Sequence, residues 1–155
     1  MKKSPAAPSY LPYFIWLLGA FFYLIDYVIR VSPSVLTPTL MQFFNANAFA
    51  IGGFSAFFYY AYIGMQIPVG ILVDKFGPKF LLVGSALICA GSTFMFAEMQ
   101  TITIGFLSRL LMGFGASFAF VGTLKLISIW FPGDKFAFLA GMTQAMGMVG
   151  AMVGQ

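Results

Sequence analysis

The chain has 155 residues, of which 61% are hydrophobic and 8% are charged, with a formal net charge of +4. Soluble domains are roughly 45–50% apolar and about 25% charged, and the mean hydropathy of +0.94 also points to the bilayer as solvent. There is no histidine and a single cysteine, Cys89, which excludes disulfide frameworks, zinc sites and histidine-assisted nucleophiles. The composition predicts a membrane protein without metal, cofactor or nucleic-acid partner.

The first apolar run predicts a transmembrane helix over residues 13–44, after a cytoplasmic tail of residues 1–12. A hydrocarbon core of about 30 Å needs about 20 apolar residues. Pro33 and Pro38 interrupt the run, so two alternatives stay open, a kinked helix that continues through them and a helix that ends near Arg30. We favour the kinked helix because the residues after the prolines stay apolar, and membrane helices tolerate proline.

Four more apolar runs follow, and they predict helices over residues 49–73, 80–97, 102–130 and 136–155. Their length and continuous hydrophobicity indicate helices and not barrel strands. The predicted fold is an all-α membrane protein of about five transmembrane helices. The last run carries glycines that suit close helix packing, and a helix beyond this chain is one candidate partner.

Basic residues mark one side of this bundle. They precede the first span or lie between spans two and three and spans four and five, at Lys2, Lys3, Lys75, Lys79 and Lys135. The opposite connections contain no lysine or arginine. The positive-inside rule therefore predicts a cytoplasmic N-terminus, and we expect a multi-pass protein of a bacterial inner membrane. Because the odd number of spans ends without a polar flank, we also expect a fragment.

Two charges lie deep in the first span, at about 20 Å and 26 Å from its start. They belong to a polar stripe with steps of three or four residues, formed by Tyr23, Asp26, Tyr27, Arg30, Ser34 and Thr37. A buried charge costs roughly 2.5–3.5 kcal/mol on insertion scales. Asp26 and Arg30 are therefore a functional-site hypothesis, against the alternative of an ion pair that only neutralises itself.

Arg109 lies about 10 Å deep in the fourth span and needs a polar partner. The membrane interior offers Asp26 as the one carboxylate, so Asp26 pairs with Arg30, pairs with Arg109, or bridges both. Lys125 lies near the cytoplasmic end of the same span, where its stem can snorkel to the headgroups.

The second span carries another polar stripe, formed by Ser55, Tyr59, Tyr62 and Gln66. This spacing places the four residues on one helical face. The face is a candidate cavity lining, although core packing explains the tyrosines nearly as well. Gln144 in the fifth span is a weaker candidate of the same kind.

The connection between spans two and three contains a ten-residue pattern, Gly70-Ile71-Leu72-Val73-Asp74-Lys75-Phe76-Gly77-Pro78-Lys79. It resembles the cytoplasmic signature of the major facilitator superfamily, apart from Pro78, which stands where a basic residue is usual. Gly70 permits close helix contact, Asp74 can meet a helix N-terminus or a basic side chain, and Gly77 allows a sharp reversal. The resemblance implies conformational gating by Asp74, Lys75 and Lys79.

A second stretch, Arg109-Leu110-Leu111-Met112-Gly113-Phe114-Gly115-Ala116, is similar to the fourth-helix motif of that superfamily. Asp26 resembles the first-helix acid of its proton-coupled members. In those members the acid and the fourth-helix arginine form a pair that protonation loosens, which implies proton coupling by Asp26 and Arg109.

A finer resemblance points to phagosomal-transporter-type amino-acid porters and lysosomal dipeptide uniporters. It rests on residues 23–34, the cluster Tyr59-Tyr60-Ala61-Tyr62, and Trp130-Phe131-Pro132.

The resemblance implies the incomplete N-terminal half of a transporter whose two six-helix halves enclose the substrate site. The implied function is proton-coupled transport of a small solute, namely an amino acid, a small peptide or an organic anion, and not an enzyme activity. Arg30 would contact a substrate carboxylate, and the remaining helices of the transporter would be its partners. The implied substrate site also includes Tyr27, Tyr59, Tyr62 and Gln66. The alternative is a non-transporting scaffold or assembly subunit, whose polar stripes serve only helix packing.

Overall fold

The structure is a computed structural model that describes residues 10–155, so Lys2 and Lys3 of the predicted tail lie outside the described residues. The described part of the chain forms five α-helices joined by short connections. They are α1 (Leu11–Phe44), α2 (Ala48–Phe76), α3 (Pro78–Ala97), α4 (Ile102–Trp130) and α5 (Gly133–Val153). All five are long and apolar enough to cross a membrane. The predicted all-α membrane fold is confirmed.

The observed helices extend past the predicted runs mainly where charged residues flank the membrane. α2 continues to Phe76, where the apolar run predicted an end at residue 73, and α5 begins at Gly133, where the run predicted residue 136. The runs counted apolar residues only, whereas helical hydrogen bonding continues through the neighbouring charged residues.

The reversal between α2 and α3 takes a single residue. Gly77 has a φ of 80°, and its N–H donates to the carbonyl of Val73 at 3.0 Å. A positive φ is unfavourable for residues with a Cβ, which explains glycine at this position. Pro78 then occupies the first turn of α3, where its missing N–H has no cost.

α1 is one continuous helix through Pro33 and Pro38 and ends at Asn45, whose φ of 47° is left-handed. Of the two alternatives for the first span, the structure shows the long helix. A side-chain hydroxyl helps to satisfy the carbonyl that loses its helical donor at Pro33, since Ser32 Oγ donates to the Ile29 carbonyl at 2.9 Å. The polar stripe of α1 is therefore held on one helix.

α4 lies at the centre of the bundle. In α4, 61% of the most apolar 18-residue window is buried, whereas the corresponding share is 22% or less in each of the other helices. α2 and α3 pack along α4, while α1 packs against both α4 and α5. A buried cluster between α2 and α4 contains Phe54, Phe58, Met112 and Ala116.

Glycines allow the closest helix approaches. A Cβ at Gly113 of α4 would meet the backbone carbonyl of Phe58 in α2, and a Cβ at Gly150 of α5 would meet that of Leu24 in α1. The partner of the glycine face of α5 is therefore α1, within this chain, and not the outside helix that we considered. Backbones without side chains between them pack closely in membranes.

The α1–α5 contact predicts opposite effects for two glycine substitutions in α5. Gly150→Ala would force the Leu24 carbonyl away, and overpacking of this kind costs about 1–3 kcal/mol. Gly141→Ala is the matched control, because a Cβ there meets nothing within 4 Å and alanine favours a helix by roughly 0.5–1 kcal/mol. We expect a lower thermal unfolding temperature in detergent for Gly150→Ala only. Equal temperatures for the two variants would contradict the contact.

Candidate functional site

The two charges of α1 form a buried ion pair. Arg30 Nη2 donates to Asp26 Oδ2 at 2.8 Å, and the side chains of Arg30 and Asp26 are 10% and 1% exposed. The residues are four positions apart and therefore share one face of α1. Of the pairings that the sequence left open for Asp26, the structure contains the one with Arg30.

Aromatic rings enclose the Arg30 guanidinium. Its carbon lies 4.5 Å from the ring centroid of Tyr27, 4.4 Å from that of Tyr62 and 5.4 Å from that of Phe58. The faces of aromatic rings attract a cation, most strongly where water is excluded. The site thus joins α1 to α2 around one positive charge.

Two buried donors have no acceptor among the described residues, Arg30 Nε at this site and Gln66 Nε2 further along α2. Gln66 lies one turn from Tyr62 on α2, or about 6 Å along the helix. Buried polar groups are normally hydrogen-bonded, and an unmet donor costs about 1–3 kcal/mol. Both donors are therefore buried without a hydrogen-bond acceptor among the described residues.

Arg109 binds backbone carbonyls and not Asp26. Its Nη1 donates to the Ile29 carbonyl at 2.9 Å, its Nη2 to the Arg30 carbonyl at 3.3 Å, and its Nε to the Phe54 carbonyl at 3.3 Å. The side chain is 1% exposed. The direct contact with Asp26 that the resemblance implies is not formed in this structure, and Arg109 instead ties α4 to α1 and α2.

Phe58 is a part of this site that the sequence analysis missed. Its ring centroid lies 5.4 Å from the guanidinium carbon of Arg30 and 4.8 Å from that of Arg109, so one ring is close to both cations. The sequence feature that could have identified Phe58 is its position four residues before Tyr62, on the polar face of α2. Its apolar side chain hid it within the hydrophobic run.

α5 joins the site through Gln144. The Tyr23 hydroxyl donates to Gln144 Oε1 at 3.0 Å and lies 3.3 Å from the Tyr27 hydroxyl. Through Tyr23, α5 is thus connected to Tyr27, whose ring lies beside the Arg30 guanidinium. Tyr59, by contrast, lies outside the enclosure, with 42% of its surface exposed and its ring 5.5 Å from that of Phe58.

The second group of predicted residues lies at the end of the bundle where α2 meets α3. Asp74 Oδ1 accepts a hydrogen bond from Lys125 Nζ at 2.7 Å, and the side chains are 69% and 37% exposed. Lys125 therefore has a carboxylate partner, which the sequence analysis did not predict. Lys75 and Lys79 lie beside the rings of their sequence neighbours, with Nζ 5.4 Å and 5.9 Å from the centroids.

Gly70 does not make the close helix contact that the sequence predicted, because a Cβ there would meet nothing within 4 Å in the described part of the chain. The reason is the orientation of α2. Val69 and Val73 form the buried face and pack with Phe118 of α4, which turns Gly70 away from that contact.

The arrangement suits anion binding more than chemistry on a ligand. Arg30 supplies a positive charge, which Asp26 balances at 2.8 Å, and an Nε without an acceptor among the described residues. Within residues 10–155 there is no group of three or more cysteine, aspartate or glutamate side chains that could hold a metal ion.

Comparison with known proteins extends over most of the chain. The model of the Major Facilitator Superfamily matches residues 15–155. A probable sulfoacetate transporter of Cupriavidus necator is 29% identical over 131 residues, which are 84% of this chain and 30% of that protein. An uncharacterized transporter of Bacillus subtilis, YybO, is 30% identical over 125 residues, or 81% of this chain and 29% of YybO.

A probable galactarate/D-glucarate transporter of Pseudomonas putida is 28% identical over 114 residues, which are 70% of this chain and 25% of that protein. The chain spans less than a third of the length of these relatives. The five apolar helices and the family match together make it a multi-pass integral membrane protein. The chain belongs to the major facilitator superfamily.

Proposed function

We propose that the chain supplies the N-terminal helices of a secondary transporter that moves a small organic anion by alternating access. The observation that carries this proposal is the buried Arg30 cation, stacked between Tyr27 and Tyr62 with an Nε that lacks an acceptor. A carboxylate or sulfonate oxygen would accept a charge-assisted hydrogen bond from it. We expect the rest of the substrate site to come from helices outside the described residues.

The relatives support an organic anion as the substrate. Their names include sulfoacetate, galactarate and D-glucarate, which are small organic anions. Amino acids and dipeptides, the substrates that the finer resemblance implies, would offer Arg30 the same carboxylate. The names of these relatives favour the organic anions. Gln66 and the half-exposed Tyr59 would contact the more distant polar groups of the anion.

Proton coupling would arise because Asp26 and the substrate anion compete for Arg30. While Asp26 is ionised, it neutralises Arg30 at 2.8 Å. When Asp26 takes a proton, the positive charge of Arg30 loses its partner in a medium of low dielectric constant and attracts the substrate anion. Substrate and proton would therefore bind together. Arg109, close by on α4, would keep a second positive charge at the site throughout the cycle.

The exposed ion pair at the end of α2 is suited to gating. Asp74 and Lys125 join α2 to α4 at the membrane surface, where an exposed pair contributes about 1 kcal/mol or less. So weak a contact can open and close during each transport cycle. Lys75 and Lys79, next to it, would contact the second half of the transporter.

We place this end in the cytoplasm of a bacterium. Tyr13 near the start of α1 accepts a hydrogen bond from Lys135 at 3.0 Å, so the start of α1 lies at the same end as the basic connection between α4 and α5. The positive-inside rule orients such an end to the cytoplasm. The relatives described above come from bacteria, and this supports an inner-membrane location.

Arg30→Gln should raise the apparent KM for the transported anion roughly tenfold to a hundredfold, since a hydrogen bond to a charged group contributes about 1.5–3 kcal/mol. The measurement is uptake of sulfoacetate and D-glucarate by the intact transporter in liposomes. Lys135→Gln is the control, because Lys135 lies at the membrane surface. An unaltered KM for Arg30→Gln would remove Arg30 from the substrate site.

Asp26→Asn should abolish accumulation driven by a proton gradient and leave substrate exchange measurable, because asparagine cannot take up a proton. Both rates are measured in the same liposomes. Glu98→Gln is the matched control, since Glu98 is an exposed carboxylate at the end of α3. Undiminished accumulation in Asp26→Asn would contradict the coupling role.

Lys125→Gln should slow transport severalfold while lowering the free energy of unfolding by less than about 1 kcal/mol, as expected for an exposed pair. The exchanged variant, Asp74→Lys with Lys125→Asp, should recover part of the rate. Unfolding is followed in detergent and transport in liposomes. If Lys125→Gln alone transports at the rate of the parent, the pair has no part in gating.

A further inference from the structure

Pro33 leaves a backbone acceptor in the middle of α1 without its helical donor. In an α-helix the carbonyl of a residue accepts from the N–H four positions later, and proline has no N–H. The carbonyl of Ile29 is therefore freed, one residue before Arg30. In hydrocarbon such a group must find another donor.

The freed carbonyl receives two donors. Arg109 Nη1 lies 2.9 Å from the Ile29 oxygen, and Ser32 Oγ, within the same turn, also lies 2.9 Å from it. A carbonyl oxygen has two lone pairs, so both hydrogen bonds form together. Arg109 is the donor that comes from another helix and the one that carries charge, which makes its hydrogen bond the stronger of the two.

The other nitrogens of Arg109 extend this contact. Nη2 donates to the carbonyl of Arg30 itself, and Nε donates to the carbonyl of Phe54 in α2. One planar guanidinium thus holds two consecutive carbonyls of α1 and one of α2. Lysine cannot reproduce this, because an ammonium lacks the rigid fork of five donors.

We propose that Arg109 is a positioning residue, which replaces the helical donor missing at Pro33 and thereby fixes the backbone that carries Arg30. The effect on the substrate rests on the function proposed above for Arg30. The replacement of the missing donor does not rest on it. Arg109 then acts through the α1 backbone, and its contribution does not require it to exchange partners with Asp26.

Hydrogen–deuterium exchange on the intact transporter tests the backbone contact without any substrate. In Arg109→Gln, amides of residues 30–37 should exchange about tenfold faster or more, because a hydrogen bond to a charged group is lost. Adding Pro33→Ala should restore slow exchange, since alanine returns an N–H to the Ile29 carbonyl.

Pro38→Ala is the matched control in the same background. Pro38 leaves the carbonyl of Ser34 without its helical donor, and Arg109 makes no hydrogen bond to that carbonyl. Pro38→Ala should therefore leave the Arg109→Gln exchange rate unchanged. If the two proline substitutions restore exchange equally, or neither does, the proposal is overturned. If Arg109→Gln does not fold, the readout is the yield of membrane-inserted protein. Pro33→Ala should restore this yield in the Arg109→Gln background, and Pro38→Ala should not.

Transport separates positioning from coupling. Arg109→Lys should raise the apparent KM for the anion as Arg30→Gln does, while the pH profile of accumulation stays that of the parent. A changed pH profile with an unchanged KM would assign Arg109 to coupling and overturn the positioning role. If the parent transports neither sulfoacetate nor D-glucarate, the proposed function fails, and the exchange measurements still decide the backbone contact.

Discussion

Three charges buried in an apolar bundle constrain the rest of this structure. Asp26, Arg30 and Arg109 lie among helices that have almost no other charge, and each must be compensated locally because a charge in the membrane interior is costly. Asp26 is compensated by Arg30, Arg30 also by aromatic rings, and Arg109 by three backbone carbonyls. Among the described residues, Arg30 is the one of the three whose side chain keeps a donor without an acceptor, and the proposed substrate contact is placed there.

Close packing makes the compensation of Arg109 possible. Its Nε reaches the carbonyl of Phe54 because α2 approaches α4 closely at Gly113, where a Cβ would meet the carbonyl of Phe58. A larger residue at Gly113 would separate the two backbones and leave the buried cation short of an acceptor. The glycine and the arginine of the fourth-helix motif are therefore two parts of one contact, which explains their spacing of four residues on one face.

α1 connects the parts of the proposed mechanism. It carries Asp26 and Arg30, and its Tyr23 hydroxyl donates to Gln144 of α5. Arg109 of α4 donates to the Ile29 carbonyl of α1, which Pro33 leaves without a helical donor. A displacement of α1 relative to α4 would change the surroundings of the ion pair directly. At the end of the bundle the exposed Asp74–Lys125 pair is a weak addition to the buried packing of Val69 and Val73 against Phe118 of α4. Within the described helices, the tight contacts therefore lie around the buried charges, and the exposed ion pair lies at the end of the bundle.

The sequence by itself determined the number and type of the helices and the depth of the charges, because hydrophobic length and helical periodicity are local properties. It also singled out Arg30, Tyr27 and Tyr62, which share faces of two helices. Only the tertiary structure decided which partner each charge takes. The pairing of Asp26 with Arg30, the backbone acceptors of Arg109 and the carboxylate beside Lys125 depend on how helices are rotated and how closely they approach. Pro33 marks the Ile29 carbonyl as lacking its helical donor, but the sequence does not show which side chain of another helix reaches that carbonyl, and for that reason the contacts of Arg109 were not predicted.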